Sequence, residues 1–313
     1  MALRKNFSDQ LPKYSPWTWE RTLGVLGSLS GLAALAITFL KLDRLNEDIQ
    51  TKIFVIELAL LSIFLFGYIL ITNFKKLHRF AQAIFYLHYI NHIVRDEVAS
   101  MEAGDPIDLR EVLQDIVDAT ANCFSLLSGK RCRCEILEIT PNQAVSVLVR
   151  DRMTQTTRPE SEAPYPIAEN TDYSSIWYGS NGCTRFFLSS NLVSLWRKNQ
   201  FRCTAFQTFG EPQTLSLGVI SIVTKWPLPY KSSIVVPIRY VSDNCRWPAL
   251  NEANLSRMSS EDRPFVWGFL RVDNKSRRSF DMLHSPELVA AIADALFTLL
   301  HGARMNARLP PVD

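Results

Sequence analysis

The sequence predicts a membrane protein with a soluble α+β domain attached: a two-helix transmembrane hairpin, a helical connector, and an antiparallel sheet flanked by helices. Three observations carry this expectation. Two long stretches with almost no charge fall within the first 74 residues, although mean hydropathy over all 313 residues is zero. A heptad-like run follows them. Beyond it, short β-type runs bounded by turn residues lie between two helical periods.

Residues 22–40 carry no charge and are bracketed by Arg21 and Lys41; residues 53–74 form a second stretch bracketed by Lys52 and Lys75-Lys76. Each is long enough to span a bilayer, and the short link between them makes a hairpin. Trp17 and Trp19 stand where amphipathic rings favour the headgroup layer. Ala34-Leu35-Ala36 resembles a signal-peptide cleavage site, but a leader of 21 residues with two Trp argues against cleavage. Lys and Arg outnumber acids in both flanks (Arg4, Lys5, Lys13, Arg21; Lys75, Lys76, Arg79, Arg95) more than in the loop (Lys41, Arg44, Lys52). Positive-inside bias places both termini and the soluble domain in the cytoplasm, which for a bacterial chain means a multi-pass inner-membrane protein. Six cysteines, all after the spans, have no disulfide-framework spacing.

Gly24, Gly27 and Gly31 give the first span a small-residue side, for the second span or for another subunit. Glu57, five residues into the second span, either reaches the headgroups or lines an oligomeric pore. In residues 75–104, spacing by threes and fours picks out Leu77, Phe80, Ile84, Leu87, Asn91, Val94, Val98 and Met101. An Asn at one a position favours a parallel dimer. Phe85, Tyr86, Tyr89, Ile90 and Ile93 form a second apolar face that would pack on the helix's own domain. His88 and His92 stand i, i+4, but two ligands make a weak site, so no metal is expected. Gly104-Asp105-Pro106 ends the helix and opens the soluble domain at 105, which runs to 303, with 304–313 as a tail.

In that domain a helical period covers 107–128, with Gly129 as C-cap. Strands are expected at 132–140 and 144–150, joined by Pro141-Asn142, then near 186–192, 216–223, 232–240 and 265–272. Residues 151–166 and 241–264 read as loops, 170–177 as a short helix, and Glu287 to Gly302 as the last helix, capped by Ser285-Pro286.

Ser232 to Arg239 reads SSIVVPIR, Gly268 to Asp273 reads GFLRVD, the last helix reads ELVAAIADALFTLL, and Tyr165 to Ile176 reads YPIAENTDYSSI. With this element order, residues 107–303 resemble a GAF domain. The resemblance implies a small-molecule or protein signal bound between the sheet and short helices. The cyclic-nucleotide pattern of that family matches at Asn274, Lys275 and Phe280 but breaks at its acidic pair, where His284 and Ser285 stand. Bilin attachment needs a Cys, and nothing around Cys183, Cys203 or Cys245 marks one. Arg239 and Asp273, ending adjacent strands, either line a pocket or form a simple ion pair.

No nucleophile–base set, P-loop, H-E-x-x-H or CxxC appears, so no catalytic residue and no enzyme activity is expected, and the cofactor is left open. A net charge of +3, from 34 Lys+Arg and 31 Asp+Glu, gives no support for direct nucleic-acid binding. Eleven residues after the last helix leave no room for a kinase, cyclase or DNA-binding output. The expectation is therefore a non-enzymatic, membrane-anchored sensor or regulated effector, a homo-oligomer in contact with lipid, that signals to its own hairpin or a protein partner. The alternative is a toxic, membrane-perturbing effector of a bacterial anti-phage system, held inactive by its soluble domain; that likeness is of architecture only.

Overall fold

The computed structural model describes residues 47–155, 164–178, 186–217, 220–239 and 266–306, with side chains described outside 47–65, 69, 155, 216–222 and 304–306. The stretch 22–40, with Gly24, Gly27 and Gly31, lies outside these residues, as does the side chain of Glu57. The chain divides into two compact units between Ala81 and Gln82.

In the first unit the described backbone is helical. It belongs to helix α1 (Glu47–Glu102), which runs without a break through the whole second apolar stretch. Phe66, Tyr68, Leu70, Ile71, Phe74, Leu77 and Phe80 are all exposed large apolar or aromatic side chains, distributed around the helix rather than along one stripe.

The second unit begins with the last turns of α1. Ala83, Tyr86, Tyr89, Ile90, Ile93, Val94 and Met101 are buried there. The Cys123 thiol of α2 (Leu109–Ser128) donates to the Ala83 carbonyl at 3.5 Å, and burial pushes that thiol up to about 12. Of the two apolar faces in the sequence, the one with Tyr86, Tyr89, Ile90 and Ile93 packs inward. Ile84, Phe85 and Asn91 are exposed, and Leu87 and Val98 are half-buried. The helix ends before Gly104, whose φ of 80° closes the turn. Asp108 then caps α2 by accepting from the Glu111 amide, and Gly129 terminates it in the left-handed conformation.

Strands β1 (Cys132–Ile139), β2 (Ala144–Arg150), β3 (Tyr165–Pro166), β4 (Phe187–Ser189), β7 (Ser232–Arg239) and β8 (Val266–Asn274) form one sheet in the order β3-β2-β1-β8-β7-β4. All its pairs are antiparallel. Between them lie the short helices α3 (Arg152–Gln155), α4 (Thr171–Trp177), α5 (Leu192–Arg197) and α6 (Ala205–Phe209), and a 3-10 turn at Ile167–Glu169. A separate hairpin, β5 (Gln213–Leu217) with β6 (Ile220–Lys225), takes the place of the single strand expected at 216–223.

Every residue of β7 is buried, because both sheet faces are covered. On one face α2 packs on β1 and β2, while α7 (Ser285–Asn306) packs on β7 and β8. Alternate residues of the strands point to the other face. There Leu137, Val145, Val235 and Phe269 join Ile167, Tyr173, Ile176 and Phe206 in a second core. Helix α7 is long and apolar enough to cross a membrane by composition, yet Val289, Ile292, Ala293, Leu296 and Leu299 are buried within the domain. Gly268 is required where β8 meets β1, since a Cβ there would overlap the Leu137 carbonyl oxygen. The unit is thus an α+β domain with one antiparallel sheet between helices, the GAF-like arrangement that the resemblance implies.

Candidate functional site

Register alone assembles a row of charges on the second face. Glu135 of β1 stands directly between Arg150 of β2 and Arg271 of β8. Arg150 Nε donates to Glu135 Oε2 at 3.1 Å, and Arg271 Nη1 lies 3.6 Å from Glu135 Oε1. Asp273, two residues along β8 and so on the same face, takes the Arg271 Nε at 3.0 Å. From above the sheet, α4 adds Asp172, 3.5 Å from Arg271 Nη1, and Tyr173, whose hydroxyl accepts from the same nitrogen at 3.0 Å. The guanidinium lies over the Tyr230 ring, 4.4 Å from its centroid. Arg150, Glu135, Asp172, Arg271 and Asp273 are all buried.

Such a cluster is expensive to bury unless every group is satisfied. Here it is not. Neither Asp172 oxygen and not the Arg271 Nη2 makes a hydrogen bond. Burial therefore pushes the Asp172 carboxyl up to about 6, against the pull of Arg271; its own backbone N–H gives the carboxylate weak support, short of hydrogen-bond geometry. For Arg271 burial works against the charge, but Asp273, Tyr173, Tyr230 and Asp172 together hold its pKa well above the ordinary value.

Arg271 and Glu135 line a cavity of about 10 Å³ with Tyr165, Asn170, Tyr173, Cys203, Ala205, Phe209 and Tyr230. That is room for about one water. Asn170, itself buried, fixes one wall: its side chain accepts from the Thr204 amide at 2.9 Å and donates to the Pro166 carbonyl at 2.7 Å. This ties the start of α4 to the start of α6. Cys203 lies 3.9 Å from the Tyr230 hydroxyl, and burial pushes its thiol up to about 12. Burial also raises both tyrosines well above their usual values. Neither the thiol nor the phenols ionise near neutral pH, so none acts there as a nucleophile or base.

The residues singled out from sequence are scattered. Arg239 pairs with Val266 and Asp273 with Ser233, so the two stand at opposite ends of antiparallel strands and share no pocket; only Asp273 belongs to the cluster. Asn274 is a structural pin: its amide donates to the Arg131 carbonyl at 2.9 Å and its oxygen accepts from the Ser276 amide at 2.8 Å. Phe280 is buried edge-on against Phe124, and Lys275 is exposed. Cys203 is a cavity wall; Cys183 and Cys245 lie outside the described residues. His88 and His92 touch through their Nε2 atoms at 2.9 Å, with Arg95 donating to His92 Nδ1. Among the described residues no group of three His, Cys, Asp or Glu side chains could hold a metal. Glu135, Arg150, Asp172 and Arg271 were missed. For Glu135, Arg150 and Arg271 the one sequence signal was charge inside runs otherwise apolar enough to be buried strands; Asp172, on the short helix α4, carried none.

No family model matches the chain, and no curated protein matches it. Solved structures do. The GAF domain of an Acinetobacter phosphoenolpyruvate-protein phosphotransferase is 16% identical over 71% of this chain and 96% of its own, with a TM-score of 0.36. A free methionine-R-sulfoxide reductase from Neisseria meningitidis, solved with its substrate, is 14% identical over 71% and 92%, at 0.36. The phycocyanobilin-bound GAF domain of a cyanobacterial phytochrome is 12% identical over 70% and 98%, at 0.39. No ligand or reaction follows from these likenesses.

Proposed function

We propose that the chain is a non-enzymatic, membrane-anchored sensor. Its soluble unit reads a small signal at the Arg271 cavity, and the last turns of α1 pass the change to the membrane segment or to a protein partner. The observation that carries this reading is the incompletely satisfied ion cluster beside a cavity, an arrangement that costs stability and is therefore retained for something else. The cavity is far too small for a cyclic nucleotide or a tetrapyrrole without displacement of α4 and α6.

A physical route runs from the cavity to α1. Glu135 on β1 faces the cluster, while its neighbours Cys134 and Ile136 point to the opposite face, where α2 packs. Helix α2 in turn meets α1 at Cys123 and Ala83. The anchor is supported by the helical backbone across 53–74 and by the exposed apolar side chains from Phe66 to Phe80, since a helix apolar all round belongs in lipid or against other helices. Exposed Ile84 and Asn91 leave part of the heptad seam available to a second copy.

The test fills the cavity. Ala205→Leu in the full chain, in lipid nanodiscs, should change hydrogen-exchange protection at residues 83–101 as well as in α4 and α6. Protection altered around the cavity but unchanged over 83–101 would mean that the cavity does not communicate with α1.

A further inference from the structure

We propose that the carboxyl group of Asp172 is a proton-binding site, and that its ionisation sets how tightly α4 closes over the cavity. This rests on the sensor reading above and names its signal. The geometry carries it in two steps. First, the space beside Arg271 admits nothing larger than about one water, so the observed packing can register only a signal of that size. Second, Asp172 is 1% exposed with neither oxygen hydrogen-bonded. Ionised, it is a buried charge short of donors; protonated, it loses the charge and gains an O–H to donate.

Charged and titratable groups face it from every element packed against it. From β8 it faces Arg271, with Asp273 behind; from β1, Glu135 and, opposite Asp273, half-buried Arg133; from β2, Arg150. Its own helix supplies Tyr173, and the far walls supply Cys203 and Tyr230. The thiol and both phenols stay protonated and Arg271 stays charged through the neutral range.

The sign follows from linkage. A carboxyl at about 6 in the closed packing, against an ordinary 3.8 when hydrated, favours closure at low pH. The ratio of open to closed α4 rises about tenfold between pH 5 and pH 7 and levels off above that.

The experiment uses the full chain in lipid nanodiscs between pH 5 and pH 8. Infrared difference spectra should show a protonated carboxylic-acid carbonyl band lost with a midpoint near 6, and Asp172→Asn should lack it. Exchange in residues 167–178, corrected for intrinsic rates, should speed up about tenfold from pH 5 to pH 7 in the wild type and stay flat in Asp172→Asn. A wild-type spectrum without the band, which needs no variant to fold, overturns the proposal. So does the same band or the same exchange transition persisting in Asp172→Asn. If α4 follows pH while residues 83–101 do not, the proton site stands and the sensor reading falls. If residues 83–101 respond to Ala205→Leu while α4 ignores pH, the sensor reading stands and the proton site falls.

Discussion

Replacing Arg271 with Met removes the hub of the buried cluster while keeping a long apolar stem. The variant loses the hydrogen bond to Tyr173 at 3.0 Å, the ion pair to Asp273 at 3.0 Å and the stack on Tyr230. It leaves Asp172 with no cation in ion-pair range among the described residues, while Glu135 keeps Arg150. Removing one member of a buried ion network costs about 3–5 kcal/mol, chiefly because the remaining charges stay buried. The loss should depend on pH. Without the guanidinium the carboxylates have still higher folded pKa values, so they cost most when ionised and least when protonated. The deficit should be largest at pH 7 and shrink toward pH 5. Urea unfolding followed by tryptophan fluorescence suits the question, because Trp177, Trp196 and Trp226 pack against this core. A loss under about 1 kcal/mol at pH 7, or a deficit equal at pH 5 and pH 7, would refute the reasoning that Arg271 compensates buried carboxylates.

Gly268→Ala should cost about 3 kcal/mol, seen as a lower unfolding midpoint, because the new methyl forces β8 away from the Leu137 carbonyl. Cys203 should resist iodoacetamide in the native chain at pH 8 and react only after urea is added, given its burial and a thiol near 12; rapid native labelling would show that the cavity wall opens. Reporter fusions at Asn46 and Asp313 should report opposite sides of the membrane, with Asp313 cytoplasmic. The same side for both would remove the hairpin.

Much of the sheet could be read from the chain because local pattern and burial agree. SSIVVPIR and GFLRVD are apolar runs of strand length, and both became central strands. Asp108 and Gly129 act locally, so α2 was legible to within a residue or two at each end. Strand β3 was not, because Tyr165-Pro166 sits at the end of a polar, Pro-rich stretch and is held by pairing with Val145 and Ala144. Residues 216–223 read as one strand because nothing but Gly218 signals a turn within them. On α1 the sequence offered two apolar faces, and periodicity has no term that chooses between them; packing on α2 does. The cluster was hidden for a deeper reason. Arg150, Glu135 and Arg271 become neighbours only through the registers of β1 with β2 and of β1 with β8, information that no window of sequence contains.

The central claim is that this cluster is kept for sensing and not for stability. Replacing Arg150, Glu135, Asp172 and Arg271 together, as Arg150→Met, Glu135→Leu, Asp172→Leu and Arg271→Met, tests it, because Asp273 still faces Arg133 across β1 and no other member of the row stays buried and charged. Apolar replacement of a whole buried ion network is typically neutral or stabilising by about 1–4 kcal/mol. The measurement is the unfolding free energy at pH 7. The account predicts a value equal to or above the wild type's, in contrast to the loss from Arg271→Met alone. A quadruple variant less stable than wild type by about 3 kcal/mol or more would show that the cluster holds the fold together, and would contradict the claim.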